Sequence, residues 1–90
     1  MKSILQNEKQ CFFTGRTDNL QKHHVMNGNG LRPKAEKYGL WVWLTATEHE
    51  RIHSAAGTAD RIDLKRTAQA KFEETHTRAE WMALFHKNYL

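Results

Sequence analysis

Two pairs of histidines stand on either side of one strand-like segment, and this arrangement constrains the fold more than any other feature. His23 and His24 are adjacent, and His49 and His53 are four residues apart. Residues at i and i+4 share a helix face, so a helix through the second pair would direct both imidazoles toward one point, as a metal site requires. A hairpin would bring the first pair there. The alternative, polar residues on a surface, is disfavoured because two pairs flank one strand.

The residues around the first pair predict an antiparallel hairpin. Residues 20–26 have the β-branched and apolar content of a short strand. Residues 40–45 alternate as a second strand with apolar side chains on both faces. Residues 27–34, rich in Gly and Asn, are predicted to form no regular element. Residues 1–10 are polar and are predicted to be loosely packed.

Three helices are predicted to follow the second strand. Thr45 and Glu48 have the spacing of a capping box, and Gly57 is a natural helix stop. Apolar residues recur at helical spacing from residue 60 and indicate a second helix. A second capping box at residues 77–80 predicts the start of a third helix, with apolar side chains facing inward.

Composition narrows the class of protein. Ninety residues form one domain with a thin core. Neither a membrane-spanning run nor a signal-peptide pattern is present, so a cytoplasmic location is expected. Cys11 is the only cysteine, which excludes an intrachain disulfide and leaves His, Asp or Glu to hold any metal. Lys and Arg outnumber Asp and Glu by 14 to 10, which favours a polyanionic partner.

The order strand, loop, strand and helix, with histidines at these places, resembles the ββα-metal (His-Me finger) core of the HNH endonucleases. The resemblance is carried by Leu-Gln-Lys-His-His-Val at residues 20–25 and Leu-Thr-Ala-Thr-Glu-His-Glu-Arg-Ile-His at residues 44–53. The histidine pattern is similar to the metal-binding half of the colicin DNases. The whole chain, down to Lys-Asn-Tyr-Leu at residues 87–90, resembles small phage HNH proteins.

This resemblance implies an α+β fold and a metal-dependent DNA endonuclease. The single domain of residues 1–90 would contain a ββα-metal core at residues 11–57 and a C-terminal helical extension at residues 58–90. The protein would hydrolyse phosphodiester bonds and be phage or prophage encoded. DNA is the expected partner, without membrane association. A homodimer, or association with other phage proteins, is left open.

The resemblance also implies a role for each site histidine. His24 is the general base, and His23, His49 and His53 bind one divalent ion, which is Mg, Mn, Ni or Zn. A base deprotonates the attacking water and a cation stabilises the leaving oxygen, so this division suits phosphodiester hydrolysis. We expect five basic residues to contact phosphate: Arg16, Arg32, Lys34, Lys37 and Arg51.

The chain departs from the family pattern in three places. Many relatives hold a structural zinc with two Cys-x-x-Cys pairs, and that zinc knuckle is expected to be absent here. The matching positions are Cys11, Thr14, Thr45 and Glu48. The middle Asn of HNH would fall near residues 38–40, where no Asn occurs, and the loop between the histidine pairs is slightly longer. The candidates to orient His24 instead are Asn27, Asn29, Tyr38 and a backbone carbonyl.

Two alternative functions are open. The missing Asn and the lost zinc motif favour a catalytically silent HNH-like module that binds DNA or another nuclease as a regulator, whereas the survival of all four histidines argues against it. Residues 49–53 also spell His-Glu-x-x-His, the zinc-peptidase signature. In that interpretation Glu50 is the base and Glu73 or Glu74 the third ligand, but the first histidine pair has no role.

Overall fold

Two antiparallel strands and four helices make up the fold, which a computed structural model describes over all 90 residues. The strands are β1 (Leu20–His24) and β2 (Trp41–Thr45). The helices are α1 (Leu31–Lys37), α2 (Ala46–Ile52), α3 (Thr58–Phe72) and α4 (Arg78–Phe85), with a 3-10 turn at Ala55–Gly57. The expected α+β class is confirmed. None of the helices combines the length and apolar character needed to cross a membrane.

The register of the two strands separates the adjacent histidines. His23 lies opposite Val42, and His24 lies opposite Trp41. Successive side chains of a strand point to opposite faces of the sheet. His23 therefore shares one face with a fully buried valine, whereas His24 shares the other face with a tryptophan that is 7% exposed.

A helix occupies part of the segment between the strands. α1 begins at Leu31, so the prediction that residues 27–34 form no regular element is wrong for its second half. Gly30 precedes the helix with a φ of 78°, a backbone conformation that glycine adopts readily. Pro33 stands in the first turn, where the N–H groups have no intrahelical acceptor, so its missing N–H costs no hydrogen bond.

Thr45 explains why α2 follows β2 without a loop. Its Oγ1 accepts a hydrogen bond from the N–H of Glu48 at 3.2 Å, as the capping spacing predicted. The helix ends at Ile52, five residues before the predicted stop at Gly57. Gly57 has another role, because a Cβ there would collide with the carbonyl oxygen of Arg51. The glycine therefore lets the 3-10 turn pack directly on the end of α2.

The core joins both strands to the C-terminal helices. The predicted capping box at the start of α4 is confirmed, with Thr77 and Glu80 exchanging hydrogen bonds of 3.1 Å. Trp81 is fully buried and packs on Phe72 and Phe85 at centroid distances of 5.5 and 4.4 Å. These aromatic contacts, together with the apolar side chains of β2, form a continuous core.

The N-terminal segment is better packed than its composition suggested. The hydroxyl of Ser3 donates to the carbonyl of Trp41 at 2.5 Å, and the N–H of Trp43 donates to Oε1 of Gln6 at 2.7 Å. The free edge of β2 would otherwise expose unpaired backbone groups. The prediction of loose packing is therefore wrong for residues 3–6, because the edge of β2 provides partners that a polar segment can use.

Candidate metal centre

Three imidazoles from two elements meet at one point. A potential ligand nitrogen of each of His23, His49 and His53 lies within 4.8 Å of those of the other two. The ring centroids of every pair are 5.2 Å apart. β1 supplies His23, α2 supplies His49, and the C-cap position of α2 supplies His53. The three histidines are therefore close enough to bind one metal ion.

Burial keeps the innermost ring of this cluster uncharged. His23 is 2% exposed, and burial lowers its pKa to about 3, with further contributions from His49 and His53. Burial also lowers the pKa of His49, as do the charges of His53 and Arg32. Neutral imidazole is the form that binds metals. The electrostatics of the cluster thus favour the form needed for ligation.

The spacing of the three nitrogens suits a single ion. Two nitrogens bound at about 2 Å to one tetrahedral ion stand roughly 3.3 Å apart, so the observed spacing has to close by roughly 1.5 Å at most. Rotation of the side chains accommodates a shift of this size. The rings line a pocket of about 220 Å³. A further position beside them is therefore open to water or a substrate oxygen.

Gln21 holds His49, one of the three candidate ligands, in a defined orientation. Its Oε1 lies 2.7 Å from Nδ1 of His49. An amide oxygen only accepts hydrogen bonds, so Nδ1 carries the proton and Nε2 is left as the ligand atom. Gln21 is two residues before His23 and therefore on the same face of β1. The sequence analysis missed this residue, although the i, i+2 spacing on the strand was the signal that would have found it.

His24 lines the same pocket at the end of β1 without joining the cluster. Its Nε2 lies 3.0 Å from Oε1 of Glu36, which also accepts a hydrogen bond from Nζ of Lys22 at 3.0 Å. These hydrogen bonds, that of His24 first, lower the pKa of Glu36 to about 2. The ionised carboxylate only accepts, so Nε2 donates the proton of this hydrogen bond, and Nδ1 is the nitrogen left to act as a base.

The residue that orients His24 is therefore none of the four candidates derived from the sequence. Asn27 donates instead from Nδ2 to the backbone carbonyl of His24 at 3.0 Å, which fixes the end of the strand rather than the ring. Glu36 stands just before residues 38–40, where the middle Asn of HNH would fall. It reaches His24 from α1, a helix that the sequence did not predict.

The basic residues expected on and near α1 have different surroundings. Arg32 lines the histidine pocket. Lys34 donates from Nζ to the carbonyl of Leu84 at 3.1 Å and so joins α1 to the end of α4. Lys37 is exposed, with its Nζ 5.6 Å from the ring centre of Tyr38. Arg32 is the one of these three that directly borders the site.

The other two expected phosphate contacts are paired with acids. Arg16 lies 3.4 Å from Asp18 on the exposed segment before β1. Arg51 forms ion pairs with Glu48 and Asp60, and these two partners raise its pKa. The contact with Asp60 spans 2.9 Å and joins α2 to α3. Arg51 is thus occupied in holding two helices together.

The peptidase interpretation lacks its third ligand. The third donor of the cluster comes from β1, not from the end of α3. Glu73 accepts a hydrogen bond from Gln69 at 2.7 Å, and Glu74 pairs with Lys71 at 3.3 Å. Glu50 is exposed and is not part of the cluster. The arrangement therefore does not favour a His-Glu-x-x-His peptidase.

Comparison of the chain with protein-family models, with characterised proteins and with solved structures finds no match. The resemblance to the HNH endonucleases accordingly stays a prediction.

Proposed function

We propose that the chain is a metal-dependent endonuclease of HNH type that hydrolyses phosphodiester bonds of DNA from a ββα-metal core. One observation carries the proposal. Three imidazoles converge as ligands, while a fourth, His24, lines the same pocket outside the cluster and is held by a carboxylate. In one-metal phosphodiester hydrolysis the ion stabilises the leaving oxygen while a base that is not a metal ligand deprotonates the water, and this arrangement offers a group for each task.

Each residue of the pocket has a distinct chemical role in this proposal. A divalent ion would stabilise the negative charge on the leaving oxygen. Nδ1 of His24 accepts a proton from the attacking water, while Glu36 keeps the ring oriented and stabilises the imidazolium that forms. The guanidinium of Arg32, beside the pocket, is suited to bind phosphate oxygens.

The donor set narrows the choice of metal. The cluster offers imidazole nitrogens and contains no carboxylate. Imidazole suits Ni and Zn, whereas Mg favours oxygen ligands and retains water. Of the four ions expected from the sequence, we therefore propose that Ni or Zn binds this site most tightly, that Mn binds more weakly and that Mg binds most weakly.

Plasmid cleavage and metal binding, measured together, test the proposal. His24→Ala should reduce cleavage about a hundredfold or more, as for a positioned general base, and leave metal affinity nearly unchanged. His53→Ala should reduce both, because it removes a ligand. Glu50→Gln is the matched control and should change neither. Full cleavage by His24→Ala, or loss of activity on Glu50→Gln, would show that the base is assigned wrongly.

A catalytically silent DNA-binding module is the second candidate function. The side chain of His24 is only 15% exposed, and its ring is tied to Glu36, which restricts the approach of water. This candidate predicts metal binding and DNA binding without cleavage in Mg, Mn, Ni or Zn. Cleavage that His24→Ala removes would exclude it.

A further inference from the structure

The segment at residues 87–90, here called the tail, is attached to α3 and α4 by buried polar groups. Gln69 is fully buried, and its Oε1 accepts a hydrogen bond from the N–H of Tyr89 at 2.7 Å. The indole N–H of Trp81, also fully buried, donates to the carbonyl of Lys87 at 2.8 Å. Buried polar groups that are paired in this way specify one arrangement. The tail therefore presents a defined surface.

Two lysines flank the aromatic ring of the tail. Nζ of Lys65, on α3, lies 5.7 Å from the ring centre of Tyr89, and Nζ of Lys87 lies 5.2 Å from it. The acids of α3 that are near in sequence pair with other cations, Asp60 with Arg51 and Asp63 with Arg66. The two ammonium groups therefore lie around one ring, and neither forms an ion pair with a side-chain carboxylate.

A third cation adds to this unbalanced charge. Arg61 precedes Lys65 by four residues on α3, and like charges at this spacing oppose each other on a helix. Burial lowers the pKa of Lys65, and the charges of Arg61 and Lys87 lower it further. This repulsion costs folding free energy, and an anion bound at the surface would remove that cost.

The face of α3 that carries Arg61 and Lys65 begins beside the histidine pocket. Nη1 of Arg61 donates to the carbonyl of Ile52 at 2.7 Å, at the end of α2 and next to His53. Lys65 lies one turn further along α3 than Arg61, so the helix face that leads to the flanked ring starts beside the histidine cluster.

We propose that Lys65, Tyr89 and Lys87 form a binding surface for the phosphate backbone of duplex DNA beside the histidine pocket. Lysine is a point charge that suits phosphate oxygens, and the ring keeps the two ammonium groups apart at fixed positions. Together with Arg32 in the pocket, the surface extends the contact with the backbone beyond the cleavage site. The identity of the partner rests on the proposed nuclease function, but the surface has its own test.

Binding without cleavage isolates this surface. The anisotropy of a labelled duplex of arbitrary sequence is measured in chelator over a range of NaCl concentrations. Lys65→Gln with Lys87→Gln should weaken binding at least about tenfold at low salt and reduce the slope of log affinity against log salt by about 1.8, about 0.9 for each lost phosphate contact. The control is Lys2→Gln with Lys71→Gln, an equal change of charge at two exposed sites. It should leave affinity within about twofold and the slope nearly unchanged.

A single variant covers the case in which the double variant does not fold. Lys87 is exposed, so Lys87→Gln alone should keep the fold and reduce the slope by about 0.9. If the Lys65 and Lys87 variants bind like the control, or if the wild type does not bind DNA, the proposed surface is wrong. DNA binding that depends on these lysines, without cleavage in any metal, would uphold the surface and reject the nuclease. Cleavage and DNA binding that are unchanged in the Lys65 and Lys87 variants would support the nuclease and reject the surface.

Discussion

Two polar side chains are buried in this chain, and their surroundings differ. Gln69, in the C-terminal half, uses both ends of its amide on protein partners, accepting from Tyr89 and donating to Glu73 and Asn88. His23, in the histidine half, faces two other imidazoles at 5.2 Å across an open pocket. Buried polar groups require partners. The comparison indicates that Gln69 stabilises the fold, whereas His23 is arranged for a ligand.

Replacing each of these residues with leucine tests that contrast most directly. Gln69→Leu should lower the free energy of unfolding by about 3 kcal/mol, because it leaves buried groups of the tail unpaired. His23→Leu should change the stability of the metal-free protein by less than about 1 kcal/mol, since no protein partner is lost. Denaturant unfolding in chelator measures both. Equal losses would mean that His23 is as structural as Gln69.

Metal should stabilise the protein through the histidine half alone. At a Ni or Zn concentration of about a hundred times Kd, the free energy of unfolding should rise by about 2.7 kcal/mol. This stabilisation by metal should persist in Gln69→Leu and disappear in His23→Leu. Elemental analysis should also find no structural zinc, because Cys11 is the only cysteine. A zinc retained after loss of His49 and His53 would contradict this assignment.

Gln21 contacts His49 and orients its ring, so its removal should affect metal binding and not folding. Gln21→Ala removes the acceptor of the His49 Nδ1 proton and should weaken metal binding about tenfold, as outer partners of metal ligands do. Its side chain is exposed, so stability without metal should not change. Isothermal titration gives the affinity, and unchanged affinity would remove Gln21 from the site. Gln21→Glu, which keeps an acceptor, is the control that should retain tight binding.

Proton binding distinguishes the two buried groups as well, because only His23 titrates. Its folded pKa is about 3, below the value of about 6.5 in an unfolded chain, so between these values the unfolded state binds a proton that the folded state does not. Stability in chelator should therefore fall as pH decreases through this window, by up to about 1.4 kcal/mol per pH unit from this group. Above pH 6.5 the contribution is constant. Between pH 6.5 and about 5, His23→Leu should reduce the slope and Gln69→Leu should leave it intact, because the hydrogen bond by which Gln69 lowers the pKa of Glu73 affects stability only at lower pH.

Local sequence determined the elements around the site. The caps at Thr45 and Thr77 act over three residues, and strand alternation and helical spacing act over two to four, so these signals could be recognised from neighbouring residues alone. The same signals predicted that the two histidine pairs would meet, and the resemblance to the HNH endonucleases assigned His23, not His24, to the cluster with His49 and His53. A hairpin followed by a capped helix leaves few other positions for the two pairs.

Tertiary structure decided which residues form hydrogen bonds with the site histidines and with the other buried polar group, Gln69. The contact from His24 to Glu36 spans 12 positions, that from Gln21 to His49 spans 28, and that from Gln69 to Tyr89 spans 20. Each depends on how an element packs against another, and α1 itself was not predicted from its Gly- and Pro-containing sequence. Periodicity shows which face of an element is apolar, but not which polar side chain of a distant element will meet it. That choice is made by the packing of the whole chain, where a buried polar group has to find a partner.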